Sequence, residues 1–309
     1  MERIKTMCDL AWSTYSSSLR VGQHLSAGGY VIRSILKGTG GLGASQLCFY
    51  AVNSSGAGVI ACSGSNDMYD WISNFMFTKR EWPEVDGSGN ARFHAGTLNI
   101  FQNSVQPWVN KLQLAPTVAL VGHSLGGMTA QCLALYLHYV RERKGLEIFT
   151  FGTPFIGNAA AAKFMVSTRI PAVLLNVEGD GVPTLTMPYM ITGYAPWGVP
   201  SASAVQRAIV LFGDDDVSAR IGYRYDTPAY ALPTPRSFKR QHMAYLTVLR
   251  NIVSAAGAQR CTYSALAYHA DKAAQCAGSK ALCVKSKVSG AVPCGTAGFC
   301  NLSNHCYTR

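Results

Sequence analysis

The sequence predicts an α/β fold, with a mostly parallel central sheet covered by helices and a small cysteine-rich module at the C-terminal end. Three observations point there. Between residues 117 and 179 short β-branched runs alternate with helical stretches, in the order strand–helix–strand–helix–strand; that is the pattern of parallel strands joined by crossover helices. Of the 309 residues, 48% are hydrophobic and 14% charged, enough apolar material for a large core and too little charge for a disordered chain. Six of the ten cysteines crowd positions 261 to 306, so the last stretch is built differently from the rest.

The elements follow in order. Residues 1 to about 20 read as an amphipathic helix. YVIRSILK (30–37), LCFYAVN (47–53) and GVIACS (58–63) are rich in β-branched and aromatic residues and read as consecutive strands. GTGGLG (38–43) between the first two is a turn rather than a phosphate-binding loop, because no helix and no GK[ST] follow it. NDMYDWISNFMF (66–77) predicts a short helix and HAGTLNIFQNSVQPWVNKLQ (94–113) a longer one. TVALVG (117–122), EIFTFG (147–152) and PAVLLNVEG (171–179) are strands, separated by helices from Ser124 to about Lys144 and over NAAAAKFMVST (158–168). After Pro183 the text is loop-like; VQRAIVLFG (205–213) and ARIGYRY (219–225) suggest a hairpin. QHMAYLTVLRNIVSA (241–255) has apolar residues at helical spacing. A catalytic domain over 1–257 and a second module over 258–309 are expected.

Charge and cysteines bear on surroundings. Lys and Arg number 27 against 16 Asp and Glu, a net charge of +11, which suits an anionic membrane or lipid surface. No nucleic-acid-binding motif accompanies that charge, so nucleic acid is not an expected partner. No apolar run approaches the ~20 residues a membrane-spanning helix needs. The tail cysteines at 261, 276, 283, 294, 300 and 306 read as a disulfide framework and lean toward a secreted, oxidising setting. The N-terminal text lacks the apolar stretch of a signal peptide, and so points the other way. The tail contains no C-x-x-C pair, and its spacings suit no common zinc site; no metal or cofactor is expected.

The chemistry concentrates at GHSLG (122–126), a G-x-S-x-G pentapeptide between a short strand and a helix. A serine at such a sharp turn is held out above the sheet edge, and Gly122 and Gly126 let neighbouring backbone pass close to it. The helix N-terminus behind it offers free N–H groups to a developing oxyanion. A serine hydroxyl is a weak nucleophile, so it needs a base, and the base needs an orienting acid. Where a strand-borne serine acts this way, the chain order is Ser, then Asp or Glu, then His. Asp180 lies just beyond the strand ending at 179, ahead of its competitors Glu178 and Asp214–Asp216. His242 alone among seven histidines falls after Asp180, before the tail, and at the head of a helix.

Over roughly residues 25–255 the chain resembles the class 3 lipase family, the fungal-type triacylglycerol lipases and their relatives. The likeness rests on VGHSLGG, FTFGTPFIGN (149–158), DGVP (180–183), SGSNDMYDWISN (63–74) and FHAG (93–96), which resemble five family motifs in the family's order. The resemblance implies an α/β-hydrolase fold and cofactor-free hydrolysis of carboxylic esters. It further implies an oxyanion hole formed by Ser65 and the backbone N–H of Leu125, and a lid over Asn66–Thr78 bearing Met68, Trp71, Phe75 and Phe77. One departure stands out: Cys62 and Ser63 occupy positions where the family usually has an aromatic residue and an arginine before the glycine.

The expected activity is therefore hydrolysis of lipid esters, of triacylglycerol lipase or phospholipase A1 type, through an acyl-enzyme. The alternatives are an esterase for feruloyl or other cell-wall esters and a catalytically silent lipase-like binding protein. Head group, acyl-chain length and oligomeric state leave no signal in the sequence.

Overall fold

A computed structural model of the chain describes residues 2–38, 46–64, 78–177, 180–184, 206–212, 220–222, 242–247, 249–250, 298–300 and 306–308. Ser65, Glu178, the Asp214–Asp216 run and most of the tail lie outside them, as do the expected lid except Thr78 and the GTGGLG turn except Gly38.

Helix α1 (Glu2–Ser13) opens the chain. It stops earlier than expected because hydroxyls compete with its backbone: Ser13 donates to the Asp9 carbonyl and Thr14 to the Ala11 carbonyl. Three antiparallel strands follow, β1 (Val31–Lys37), β2 (Gln46–Val52) and β3 (Gly58–Cys62). A small hairpin of β4 (Lys79–Glu81) and β5 (Arg92–His94) precedes α2, helical from Ala95 to Val109. The middle of α2, Phe101–Val105, is a π-helical turn.

Then come β6 (Val118–His123), α3 (Leu125–Leu135), β7 (Leu146–Phe151), α4 (Ala159–Ser167) and β8 (Ala172–Val177). A π-helical turn, Tyr136–Val140, extends α3, short of the expected end near Lys144. Strands β9 (Gln206–Phe212) and β10 (Arg220–Gly222) pair antiparallel, as the expected hairpin requires.

One eight-stranded sheet runs β1-β2-β3-β6-β7-β8-β9-β10. Its central strands β3, β6, β7, β8 and β9 are parallel. This is the α/β-hydrolase fold. The core forms on both faces because side chains alternate along each strand. In β6, Val118 and Leu120 join the cluster under α2, α3 and α4, whereas Ala119 and Val121 face Ile4, Met7 and Leu10 of α1. Helix α3 is buried over its whole length, which explains its apolar character all round. Residues 242–243, 245–247 and 249–250 are helical, and Tyr245 and Leu249 pack on the α1 side. Of the stretch 258–309, the described residues are β11 (Gly298–Cys300) and β12 (Cys306–Thr308), an antiparallel pair with Cys300 opposite Cys306.

Candidate active site

The parallel strands bring their carboxyl ends to one edge of the sheet, and the expected site residues lie there. Ser124 sits between β6 and α3 with φ 57° and ψ −129°, a conformation that costs a non-glycine residue of order 1–3 kcal/mol. The neighbours impose it. A Cβ on Gly122 would lie 2.2 Å from the Gly126 carbonyl oxygen, and one on Gly126 would lie 2.2 Å from that of Cys62. Strand β6, helix α3 and the end of β3 therefore touch backbone to backbone, and the Ser124 N–H donates to the Phe151 carbonyl at 2.9 Å. A serine at a helix start ordinarily caps it with its hydroxyl. The Ser124 side chain makes no such bond, so its Oγ is not used by the helix. Leu125 begins α3, whose first N–H groups lack partners within the helix.

Asp180 and His242 meet as their order in the chain suggested. Both are buried, at 1% exposure each. His242 Nδ1 lies 3.0 Å from Asp180 Oδ1 and 2.9 Å from Oδ2. A carboxylate only accepts, so Nδ1 carries the hydrogen and Nε2 of the neutral ring is the basic atom. That Nε2 is buried without a hydrogen-bond partner among the described residues.

Two further groups hold Asp180. The Val182 N–H donates to Oδ1 at 2.9 Å, and the Tyr245 hydroxyl donates to Oδ2 at 2.5 Å. Tyr245 also accepts the Val177 N–H at 3.0 Å, tying the end of β8 to the same oxygen. Gly152, at φ 57°, leaves room for this pair: a Cβ there would lie 2.6 Å from Asp180 Oδ2 and 2.8 Å from the Tyr245 hydroxyl.

A second polar chain runs behind the serine. His123 Nε2 is 2.9 Å from the backbone carbonyl of His242, so Nε2 carries the hydrogen. His123 Nδ1 is then an acceptor, and the Tyr15 hydroxyl donates a hydrogen bond to it at 2.6 Å. The Tyr15 oxygen in turn bonds the Gly64 backbone. Burial, with the His242 ring beside it, holds the His123 pKa well below the usual histidine value; burial likewise pushes the Tyr15 hydroxyl up. The ring of His123 lies 4.3 Å, centroid to centroid, from both Trp12 and His242.

The sequence named Ser124, Leu125, Asp180 and His242, and all four lie in described structure. Ser65 and the lid residues Met68, Trp71, Phe75 and Phe77 fall outside it. Tyr15, Tyr245 and the part played by His123 were missed. Tyr245 had one signal, its place three residues after His242 on the same helical face. Two motif residues are structural. Asn158 caps α4 by accepting the Ala161 N–H, and it bonds the backbone of Asn90 and Arg92. His94 caps α2 by accepting the Thr97 N–H at 3.0 Å. Among the described residues no cluster of His, Cys, Asp and Glu fits a metal ion.

The chain is similar to known lipases in sequence and in fold. Residues 59–190 match the model of "Lipase (class 3)". A lipase of Rhizomucor miehei is 36% identical over 136 residues, 41% of this chain and 36% of that protein. Secreted mono- and diacylglycerol lipase 1 of Fusarium solani is 30% identical over 142 residues, 44% of this chain and 40% of that protein. The matched region thus spans well under half the length of these relatives. The structure of lipase II from Rhizopus niveus superposes with a TM-score of 0.62 at 20% identity, covering 80% of this chain and 94% of that one. The motifs, the sheet order and these matches make the chain similar to the class 3 lipases over residues 59–190, with the same fold as the solved fungal lipases.

Proposed function

We propose that the chain is a serine carboxylic-ester hydrolase acting on lipid esters of the triacylglycerol or phospholipase A1 kind. Ser124 is its nucleophile, His242 its base and Asp180 the acid that orients the base. One observation carries the reading: a serine in strained backbone, its hydroxyl not used for capping, stands on the same sheet edge as a buried Asp–His pair whose basic nitrogen has no partner among the described residues. The relatives' descriptions as lipases support the substrate class.

In the proposed reaction the Ser124 hydroxyl attacks the ester carbonyl and its proton passes to His242 Nε2. The imidazolium is stabilised through Nδ1–H by Asp180. The Leu125 N–H, with Ser65 as second donor, stabilises the oxyanion; losing one such donor typically costs about 2.7–4 kcal/mol. His242 then gives the proton to the departing alcohol. Water enters by the same steps in reverse and releases the fatty acid from the acyl-enzyme. The Asn66–Thr78 segment, with Met68, Trp71, Phe75 and Phe77, is proposed to cover the site in water. The basic surface is proposed to favour anionic lipid.

The test combines a covalent probe with a substrate panel. A fluorophosphonate should add one adduct, on Ser124, and Ser124→Ala should lose both the adduct and turnover. Reaction at another serine, or turnover by the variant at the parent rate, would refute the assignment. The panel is p-nitrophenyl esters of graded length, triacylglycerol, phospholipid and a feruloyl ester. Preference for the feruloyl ester would replace lipid with cell-wall ester as substrate. A labelled but inert protein would point to a binding role.

A further inference from the structure

We propose that Cys48 and Cys62 form a cross-strand disulfide, which closes as the chain folds under oxidising conditions and clips the strand leading into Ser63 and Gly64. The pairing of β2 with β3 puts the two residues directly opposite each other. The backbone bonds fix which kind of pair they are. Ser63 donates to the Leu47 carbonyl at 2.8 Å, and Asn53 donates to the Ala57 carbonyl at 3.0 Å. Hydrogen-bonded and non-hydrogen-bonded pairs alternate along an antiparallel ladder, so Cys48 and Cys62, one step from Leu47 and Ser63, are a non-hydrogen-bonded pair. Such pairs hold their Cα atoms about 4.5 Å apart with the side chains closest, inside the 4.4–6.8 Å span that disulfides use. The two Sγ atoms lie 3.0 Å apart, and a bond of about 2.0 Å needs only a further approach of about 1 Å.

The surroundings favour closure on folding rather than afterwards. Both side chains are fully buried, and burial pushes the Cys48 thiol well above its usual pKa, so exchange in the folded protein is slow. While the strands are still open, one thiolate attacks a low-molecular-weight disulfide and releases one small thiol. The second thiolate then displaces the other small thiol from that mixed disulfide. The cysteine pair gives up two hydrogens and two electrons, and the small disulfide leaves as two thiols. Cys132 on α3 is a third buried thiol in the same cluster, but it has no cross-strand position. Cys62 also marks the place where the chain departs from the family it resembles, and its carbonyl packs against Gly126 of the helix behind Ser124. A bond at Cys62 therefore fixes the end of β3 against the segment that holds the nucleophile.

The test does not use activity, so it stands apart from the hydrolase reading. The full chain is folded with mixed oxidised and reduced glutathione, and in parallel under reductant; each sample is alkylated in denaturant and digested with trypsin. Both cysteines lie in the single tryptic peptide 38–79. In oxidised material that peptide should carry no alkyl group and weigh two hydrogens less than its free-thiol form, while Cys8 and Cys132 are alkylated. In reduced material it should carry two alkyl groups. A doubly alkylated peptide from oxidised protein, or Cys62 linked to Cys132 or to a tail cysteine, would overturn the proposal. The bond closes a loop of 15 residues, 48 to 62, for which chain entropy corresponds to a melting temperature higher by about 5–10 °C. Cys48→Ala and Cys62→Ala should each remove that gain from oxidised protein, and the double variant should lose no more than either. Equal melting temperatures for the oxidised parent and both single variants would also sink it.

Discussion

Replacing Tyr245 with phenylalanine tests whether the Asp180 anchorage serves the proposed reaction or only the fold. The ring stays; one oxygen goes. That oxygen donates to Asp180 Oδ2 at 2.5 Å and accepts the Val177 N–H at 3.0 Å, in a fully buried position. A hydrogen bond to a charged group is worth about 1.5–3 kcal/mol, and a buried N–H left without its partner costs about 1–3 kcal/mol. The variant should therefore lose about 2.5–6 kcal/mol of stability. If Asp180 orients His242, part of that loss must also appear in the rate. A tenfold fall in kcat corresponds to 1.36 kcal/mol, so losing one charge-assisted bond predicts a fall of about 10- to 100-fold. KM should stay near the parent value, since nothing in this contact touches bound ester. The assay is kcat and KM on a soluble p-nitrophenyl ester, well below the variant's melting temperature. A lower melting temperature with kcat within twofold of the parent would refute the argument, because Tyr245 would then only hold β8 in place.

Further outcomes follow from the same geometry. Tyr15→Phe leaves His123 Nδ1 a buried acceptor without its donor, at about 1–3 kcal/mol, and should lower both the melting temperature and kcat by disturbing the His242 backbone; an unchanged kcat would limit Tyr15 to the core. Since folded His123 resists protonation and the unfolded chain takes up that proton near pH 6.5, stability should fall progressively as pH drops below about 6.5. Urea midpoints across that range would show it, and a flat profile would contradict it. Hydrolysis of a short-chain ester should jump at its solubility limit, and vesicles containing anionic lipid should be hydrolysed faster than neutral ones at low salt only; a smooth saturation curve would remove the lid, and equal vesicle rates would remove the electrostatic role.

What the sequence revealed about this site was what is local or ordered along the chain. Ser124 was legible because strand, pentapeptide and helix are contiguous. Asp180 and His242 were legible because a parallel sheet presents its carboxyl ends at one edge, so an acid just past a strand and a histidine heading the next long helix arrive together. Tyr15 was not, because 108 positions separate it from His123 and nothing near residue 15 marks it. Nor was the Cys48–Cys62 contact, which depends on strand register. Helix lengths erred where side chains or ring size decide: hydroxyls end α1, and a π turn needs one extra residue per turn, which 3.6-residue periodicity does not reveal.

The two tyrosines make the candidate site a product of the whole fold rather than of its motif. Tyr15, two residues past the end of α1, joins the Gly64 backbone to His123, and His123 joins the backbone of His242. Tyr245 joins β8 to Asp180, and Asp180 holds the His242 ring. His242 is thus fixed twice, by its carbonyl from the α1 side and by its ring from the β8 side. Both arrangements consume polar atoms that burial would otherwise leave costly. What they leave over, among the described residues of the site, is His242 Nε2. A buried nitrogen without a partner is a standing cost unless something supplies a proton to it. In the proposed reaction the Ser124 hydroxyl, which is not spent on capping, supplies one as it attacks the ester.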